Sequence, residues 1–303
     1  MPELPDVELY VSHLRRRVVG QALARIRVAN PFLVRSFDPP LRAVDGVRVL
    51  GVRRVGKRIV FDLSDDLHVV LHLMIAGRLR WKPPGAKVPG KVGLAAFDFP
   101  AGTLILTEAS TKRRASMHVV RGDAGVEALD PGGIEPLAID PARFAEALRR
   151  ENHTVKRALT DPHIFSGIGN AYSDEILWRA QQSPMRLTNA MTDADVSRLY
   201  EATVATLREW VERLAREVGD DFPEEVTAFR DDMAVHGRYG KPCPRCSAPV
   251  QRIAYASNEA NYCARCQTGG KLLADRALSR LLRDDWPKTL DELEERKAAA
   301  RTT

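Results

Sequence analysis

Cysteine is scarce in this chain and confined to one place. Of 303 residues only four are cysteine, and all lie between Cys243 and Cys266. A disulfide framework spreads its cysteines along the chain, so this clustering speaks against one and reads as a metal site. No run of about 18 apolar residues occurs, so no membrane span is expected. The start, MPELPDVELY, carries acids where an export signal carries bases, so export is not expected and a cytoplasmic protein is. The seven histidines are scattered and form no ligand pattern. What is present is a surplus of positive charge, +6 at pH 7, which suits a polyanionic partner without proving one.

Hydrophobic periodicity divides the chain. Val7, Tyr10, Val11, Leu14 and Val18 recur at helical spacing behind Pro5, which suits a first turn. After Gly20 the pattern alternates. Strand-like runs follow at Val47–Val52, Arg58–Leu63, Val69–Leu73, Leu94–Phe99 and Thr103–Thr107, a spacing that suggests a sandwich or barrel. Pro83–Gly93 reads as a loop, and DPGGIEP (130–136) as a boundary. Residues from about 140 to 218 read as helices, with Asp140 and Thr192 as caps. In the long helix after Thr192 the expected buried stripe is Val196, Leu199, Val204, Leu207, Val211 and Leu214. Arg15–Arg17 reads as a solvated helix face.

The cysteines fall as CPRC (243–246) and CARC (263–266), a C-x2-C, x16, C-x2-C pattern that matches a zinc ribbon. Protein thiolates fill the whole tetrahedron, so one zinc ion per chain is expected, with a structural role. Arg238, Lys241, Arg245, Arg252 and Arg265 flank the ribbon as candidate phosphate binders.

PELPDVE (2–8), Gly56-Lys57, GIEPL (133–137), GIGNAYSDEIL (167–177) and HGRYGKPCPRC…YCARCQ (236–267) occur together in this order. In these motifs the chain resembles the formamidopyrimidine-DNA glycosylase/endonuclease VIII family, over roughly residues 2–267. The resemblance implies an α+β multidomain protein. Its parts are an N-terminal β-sandwich with a flanking helix (1–129), a helix-two-turn-helix domain (130–225), a zinc-ribbon finger (226–270) and a C-terminal helical extension (271–303). It implies that Pro2, freed of Met1, attacks C1′ of a damaged or abasic nucleotide and forms an imine. An α-amino group titrates near pH 8, so a useful fraction of such an amine is unprotonated at neutral pH. Glu3 is implied as acid/base, Lys57 as a phosphate-contacting assistant, and Asn170 as a phosphate contact, with Lys156 adding charge. On the residues alone Asn170 also reads as an N-cap for the helix that follows.

The departures bear on substrate. The family fills the hole left by a flipped nucleotide with Met, Arg and Phe. Here HLMIAG places Ile75 at the methionine, while TKRRAS keeps Arg113 and places Ala115 at the aromatic. Asn258 stands where the family's finger carries a DNA-contacting arginine, and cannot supply that bidentate charge. Gly219–Met233 occupies the place of a lesion-covering loop, but its DDFPEE run is acidic. Some 36 residues follow Gln267; Leu272, Leu273, Leu278, Leu281 and Leu282 are expected to pack as a helical face. The reading is a bifunctional DNA glycosylase/AP lyase, a monomer acting on damaged or abasic DNA in the nucleoid. The alternatives are an AP lyase with weak glycosylase activity on abasic or single-stranded DNA, and a non-catalytic damage-binding protein.

Overall fold

A computed structural model describes residues 1–227, 230–254, 259–274 and 276–302. Asn258 lies outside the described residues. The chain divides into two compact units. The first is Met1–Glu135 with Arg208–Ala228, and the second is Pro136–Leu207 with Phe229–Thr303.

The first unit opens with α1 (Leu4–Val18), capped at Glu3 and started by Pro5. The Asp6 carboxylate accepts the Glu3 backbone N–H at 2.8 Å, closing the first turn. Leu4, Val7, Tyr10, Val11, Leu14 and Val18 are fully buried, as their spacing predicts. Strands follow as β1 (Ala22–Leu23), β2 (Arg25–Val28), β3 (Val47–Val55), β4 (Arg58–Leu63), β5 (Leu67–His72), β6 (Gly77–Lys82), β7 (Gly93–Phe99), β8 (Gly102–Glu108) and β9 (Ser116–Arg121), then α2 (Gly122–Glu127). They form two antiparallel sheets, ordered β1-β3-β4-β5-β9 and β2-β7-β8-β6. Phe61 on β4 and Phe97 on β7 stack at 6.1 Å, joining the two inner faces into one core. β7 and β8 are buried at every position, which is why their apolar runs are continuous.

β6 and β9 hold only one or two buried apolar side chains each, and do not stand out as strands in the sequence. Gly77 is required where it stands: a Cβ there would sit 2.2 Å from the Leu73 carbonyl oxygen. The Gly77 N–H donates to that same carbonyl, closing the turn that carries Met74 and Ile75.

Arg15 and Arg16 are exposed, as expected of a solvated face, and Arg17 is half-buried, but all three have partners. Arg15 donates to the Val52 carbonyl at 2.6 Å, and Arg16 and Arg17 reach Asp220. The acidic run after the long helix is tied down within this unit. Phe222 packs against Tyr10, His13 and Trp81, and Glu224 pairs with Lys82 at 2.9 Å.

The second unit holds α3 (Pro141–Arg149), α4 (Val155–Thr160) and α5 (Asn170–Arg179), and most of α6 (Asp193–Val218), whose last turns belong to the first. Asp140 caps α3, its carboxylate accepting the Arg143 N–H at 2.8 Å. Thr192 and Asp195 exchange a reciprocal capping pair at the start of α6. The buried stripe of α6 differs from expectation: Val204 and Val211 are only half-buried, while Ala202, Thr203, Thr206 and Trp210 are buried. Two threonines and a tryptophan dilute the apolar signal of that face.

The metal hairpin follows as β10 (Gln251–Ala254) and β11 (Glu259–Tyr262), then the short α7 (Ala264–Thr268). The tail forms α8 (Arg276–Leu282) and α9 (Leu290–Thr302). Its expected apolar face is only partly realised. Leu272 and Leu290 join the hairpin core, but Leu281 is 77% exposed; the Leu278 side chain lies outside the described positions. Among the described residues no helix is long and apolar enough to cross a membrane.

Candidate active site and metal centre

The N-terminus is set into the first unit by the start of α1. Pro2 is buried, and Glu3 and Asp6 are 2% and 1% exposed. The chain's amine, here on Met1, is held below its ordinary pKa. Burial is the main cause, aided by the charges of Arg78 and Lys57 and opposed by Glu3 and Asp6. The charges of these four groups are thus felt at the Met1 amine, one residue ahead of Pro2. Asp6 is pushed up to about 7, chiefly by burial and by the nearby Glu3 charge, against the pull of the Glu3 N–H, the amine and Arg78. It holds a proton in the neutral range that no ordinary aspartate would hold.

Lys57 sits in the turn between β3 and β4, where Gly56 takes a positive φ of 59°. Burial lowers its pKa and Glu3 partly restores it. Beside it the sheet assembles a further cation, Arg58, and two histidines that composition did not reveal. Arg58 on β4 pairs in register with His72 on β5. His72 is pushed down to about 4 by burial, Arg58, Lys57 and His118. His118 on β9 is lowered by burial, Arg58 and Arg35. The sequence shows these residues only as scattered basic positions; antiparallel register gathers them.

Ile75 lies at the tip of the β5–β6 turn, 58% exposed, with Met74 beside it at φ 51°. Arg113 is exposed in the β8–β9 loop, its guanidinium donating to the Lys91 carbonyl at 2.6 Å. Ala115 is a correction: it is 4% exposed and faces inward. Its backbone N–H and that of Arg114 donate to the buried Glu108 carboxylate at 3.1 and 3.0 Å. A side chain at 115 therefore points into the protein, and the residues this loop offers outward are Thr111, Lys112, Arg113 and Arg114.

In the second unit Asn170 is the first residue of α5, and Gly169 is the cap, so the N-cap reading of Asn170 does not hold. Lys156 is not a free charge. Its Nζ donates to Asp174 at 2.5 Å, the Ser173 hydroxyl at 3.0 Å and the Asn170 carbonyl at 3.2 Å. The acidic pair of α5, which the sequence placed simply on a helix, is an internal hub. Asp174 also accepts from His236 Nδ1 at 2.8 Å and from the Asn261 amide at 3.2 Å. Glu175 accepts the backbone N–H groups of Ala234, Val235 and His236 at 2.7, 2.9 and 3.0 Å. Burial raises its pKa. Through these two side chains α5 holds the HGR loop and the metal hairpin.

The thiol sulfurs of Cys243, Cys246, Cys263 and Cys266 lie within 4.8 Å of one another. A tetrahedral ion with Zn–S bonds of about 2.3 Å sets its sulfurs about 3.8 Å apart, and the Cys243–Cys266 pair is 3.9 Å apart. The set fits one structural zinc ion, with the Trp178 indole N–H donating to Cys243 Sγ at 3.3 Å as outer support. The flanking cations are engaged with neighbours. Arg238 donates to the Asp231 carbonyl, Lys241 pairs with Asp231, Arg252 with Glu259 and Arg265 with Asp291, while Arg245 lies over the Trp178 ring.

Comparison with known proteins assigns each part. The formamidopyrimidine-DNA glycosylase N-terminal domain matches residues 1–117, the H2TH domain of the same enzymes matches 133–220, and the zinc finger found in FPG and IleRS matches 240–269. The formamidopyrimidine-DNA glycosylase of Thermus thermophilus is 33% identical over 278 residues, 89% of this chain and 100% of that protein. The chain belongs to the formamidopyrimidine-DNA glycosylase family. Its members are DNA glycosylases of base-excision repair, and AP lyase activity is typical of them. A second relative with that name, from Pelotomaculum thermopropionicum, is 30% identical over 88% of this chain and 99% of its own length. Among solved structures, a complex of Lactococcus lactis Fpg with abasic-site DNA superposes with a TM-score of 0.76 at 26% identity, covering 88% of this chain and 99% of that one. A Lactococcus lactis Fpg variant bound to Fapy-dG-containing DNA gives 0.76 at 27%, covering 88% and 100%.

Proposed function

We propose that this member of the family is a bifunctional DNA glycosylase/AP lyase acting on damaged or abasic DNA, with Pro2 as nucleophile, Glu3 as acid/base and Lys57 as phosphate-contacting assistant. The observation that supports the reading is the setting of the N-terminus: Pro2 is buried directly ahead of two buried carboxyl groups, Glu3 and Asp6, and the Met1 amine before it feels the charges of Lys57 and Arg78. The Pro2 nitrogen bonds to sugar C1′ as the C1′–N bond to the base breaks and the departing base takes up a proton. The C1′–O4′ bond of the sugar then opens, the nitrogen losing its proton and O4′ taking one up from the Glu3 carboxyl, to leave an iminium. This acidifies C2′, and loss of the C2′ proton breaks the C3′–O bond and releases the 3′ phosphate.

Lys57 and Arg58 form a cationic patch suited to a phosphate next to the reacting sugar, with the neutral His72 ring beside them. Asn170 at the N-terminus of α5 would take another, with Lys156 holding that turn rather than touching DNA. Ile75 and Arg113 would enter the space of the extruded nucleotide. Repair of chromosomal DNA places the protein in the bacterial cytoplasm, with the nucleoid. The exposed loop without an aromatic favours the second reading as well, an AP lyase whose glycosylase step is weak on intact duplex.

The test is borohydride trapping on abasic DNA. Wild type should form a covalent complex, and Pro2→Gly should reduce it at least a hundredfold, as should a form that retains Met1. Trapping that survives both changes would move the nucleophile elsewhere. Wild-type protein that binds abasic DNA without trapping would be a damage binder.

A further inference from the structure

The segment after α6 does not hang free. We infer that Asp220–Val226 is a strut that positions the N-terminal nucleophile, with Phe222 and Glu224 as its positioning residues. The inference rests on the reading of Pro2 as nucleophile. In the family this stretch is the place of a loop that covers the lesion; here its contacts are with the helix that carries Pro2.

Phe222 is the pin. Its ring lies 5.9 Å from Tyr10 and 6.3 Å from His13, both on α1, and 6.3 Å from Trp81 on β6. The Arg17 guanidinium covers the ring at 5.5 Å. Salt links flank the pin on both sides. Asp220 meets Arg16 at 3.3 Å and its carbonyl accepts from Arg17 at 2.7 Å, both at the C-terminal end of α1. The Glu224 carboxylate takes Lys82 Nζ at 2.9 and 3.0 Å and lies 3.9 Å from Arg80, all on β6. Pro223 and Val226 are buried between these anchors.

Both bodies that the strut joins reach the reacting end. α1 begins at Leu4, directly after Pro2 and Glu3, so any tilt of the helix displaces the nucleophile. β6 begins at Gly77 and carries Arg78, whose charge acts on the amine and on Asp6. Tyr10, which Phe222 touches, accepts the Leu79 N–H at 3.3 Å and so couples helix to strand. A lid must leave its seat to admit a base. A segment held by an aromatic pin and two flanking sets of ion pairs is built to stay.

The test compares Phe222→Ala, Phe222→Tyr and Glu224→Gln with wild type, all with Met1 removed. Single-turnover trapping on a single-stranded abasic oligonucleotide is measured across pH, with DNA affinity and thermal melting alongside. Phe222→Ala should slow imine formation about tenfold, leave the dissociation constant within about twofold, and raise the pH midpoint of trapping. The midpoint rises because an amine that loses its burial and the Arg78 field moves back toward its ordinary pKa; Glu3, Asp6 and Lys57 are the other groups that face it. Phe222→Tyr should restore both rate and midpoint. Should Phe222→Ala fail to fold, Glu224→Gln should show the same two changes at about threefold. A lower melting temperature with unchanged rate and midpoint would overturn the strut, as would unchanged values throughout. Absence of trapping in wild type would instead overturn the reading of Pro2.

Discussion

At the scale of the residue, the least expected group is Asp6. It closes the first turn of α1 by accepting the Glu3 N–H, a role that an acid three residues after a cap predicts. Burial then gives it a second property that no motif encodes, a proton held up to about 7. Base excision needs a proton for the leaving base, whereas imine formation at an abasic site needs a free amine. The two activities should therefore part company with pH. Excision should fall as pH rises through about 7, where Asp6 gives up its proton, while trapping at an abasic site should hold or rise. Asp6→Asn keeps an acceptor for the Glu3 N–H but has no proton to lose, so the falling limb near 7 should vanish and excision should drop severalfold. Identical pH profiles in wild type and Asp6→Asn would show that Asp6 does not supply the proton. Ala115 teaches the opposite lesson about residues. A match of letters put it at the place of an aromatic wedge, and only the Glu108 carboxylate, gathering the Arg114 and Ala115 N–H groups, shows that position 115 faces inward.

At the scale of the element, α5 does more than its periodicity states. Asp174 and Glu175 are 1% and 5% exposed. Glu175 accepts from three successive backbone N–H groups. An amide in its place keeps only one oxygen and turns a donor toward donors. Leaving buried N–H groups unpaired costs roughly 1–3 kcal/mol each. Glu175→Gln should therefore lower the melting temperature by several degrees and weaken DNA binding, while a zinc assay should still find about one ion per chain. Unchanged melting would show that backbone and solvent take over those N–H groups. The partners lie some 60 residues away in sequence, which is why the hub was not legible: a helix pattern reports which face is buried, not what a buried acid meets. The sandwich strands were legible where apolar residues alternate or run, as in β4, β7 and β8. β6 and β9 were not: they do alternate, but each holds only one or two buried apolar side chains, Leu79 on β6 and Met117 and Val119 on β9, too few to mark a strand by themselves. The four cysteines were legible outright, since spacing alone nearly determines a ribbon. The cluster of Lys57, Arg58 and the neutral His72 was legible only at Lys57, because the β4–β5 register that brings Arg58 and His72 together is not written in any local stretch.

At the scale of the whole molecule, the question is which DNA this enzyme opens by itself. Extruding a nucleotide from a duplex costs a few kcal/mol in unpairing and unstacking. The enzyme recovers part of this by filling the hole, and an aromatic stacked on a base contributes about 1–3 kcal/mol. The side chains that this chain can offer are Ile75, exposed at its turn, and Thr111–Arg114 in the β8–β9 loop. No aromatic stands among them, and Ala115 cannot be made to supply one from its inward position. The shortfall falls on substrates in proportion to the extrusion they require. A paired 8-oxoguanine must be broken from its partner and its stack. An abasic site has no base to extrude, and a single strand has no partner to replace. Single-turnover cleavage of abasic or single-stranded substrates should therefore exceed excision of 8-oxoguanine opposite cytosine by at least about tenfold, the rate equivalent of about 1.4 kcal/mol. Arg114→Phe, which puts a ring on the exposed side of the loop beside Arg113, should narrow that gap, whereas a phenyl ring at position 115 should only strain the core. Equal rates on duplex 8-oxoguanine and abasic DNA in the wild type would mean that another side chain fills the hole, and would remove the wedge from the account of substrate choice.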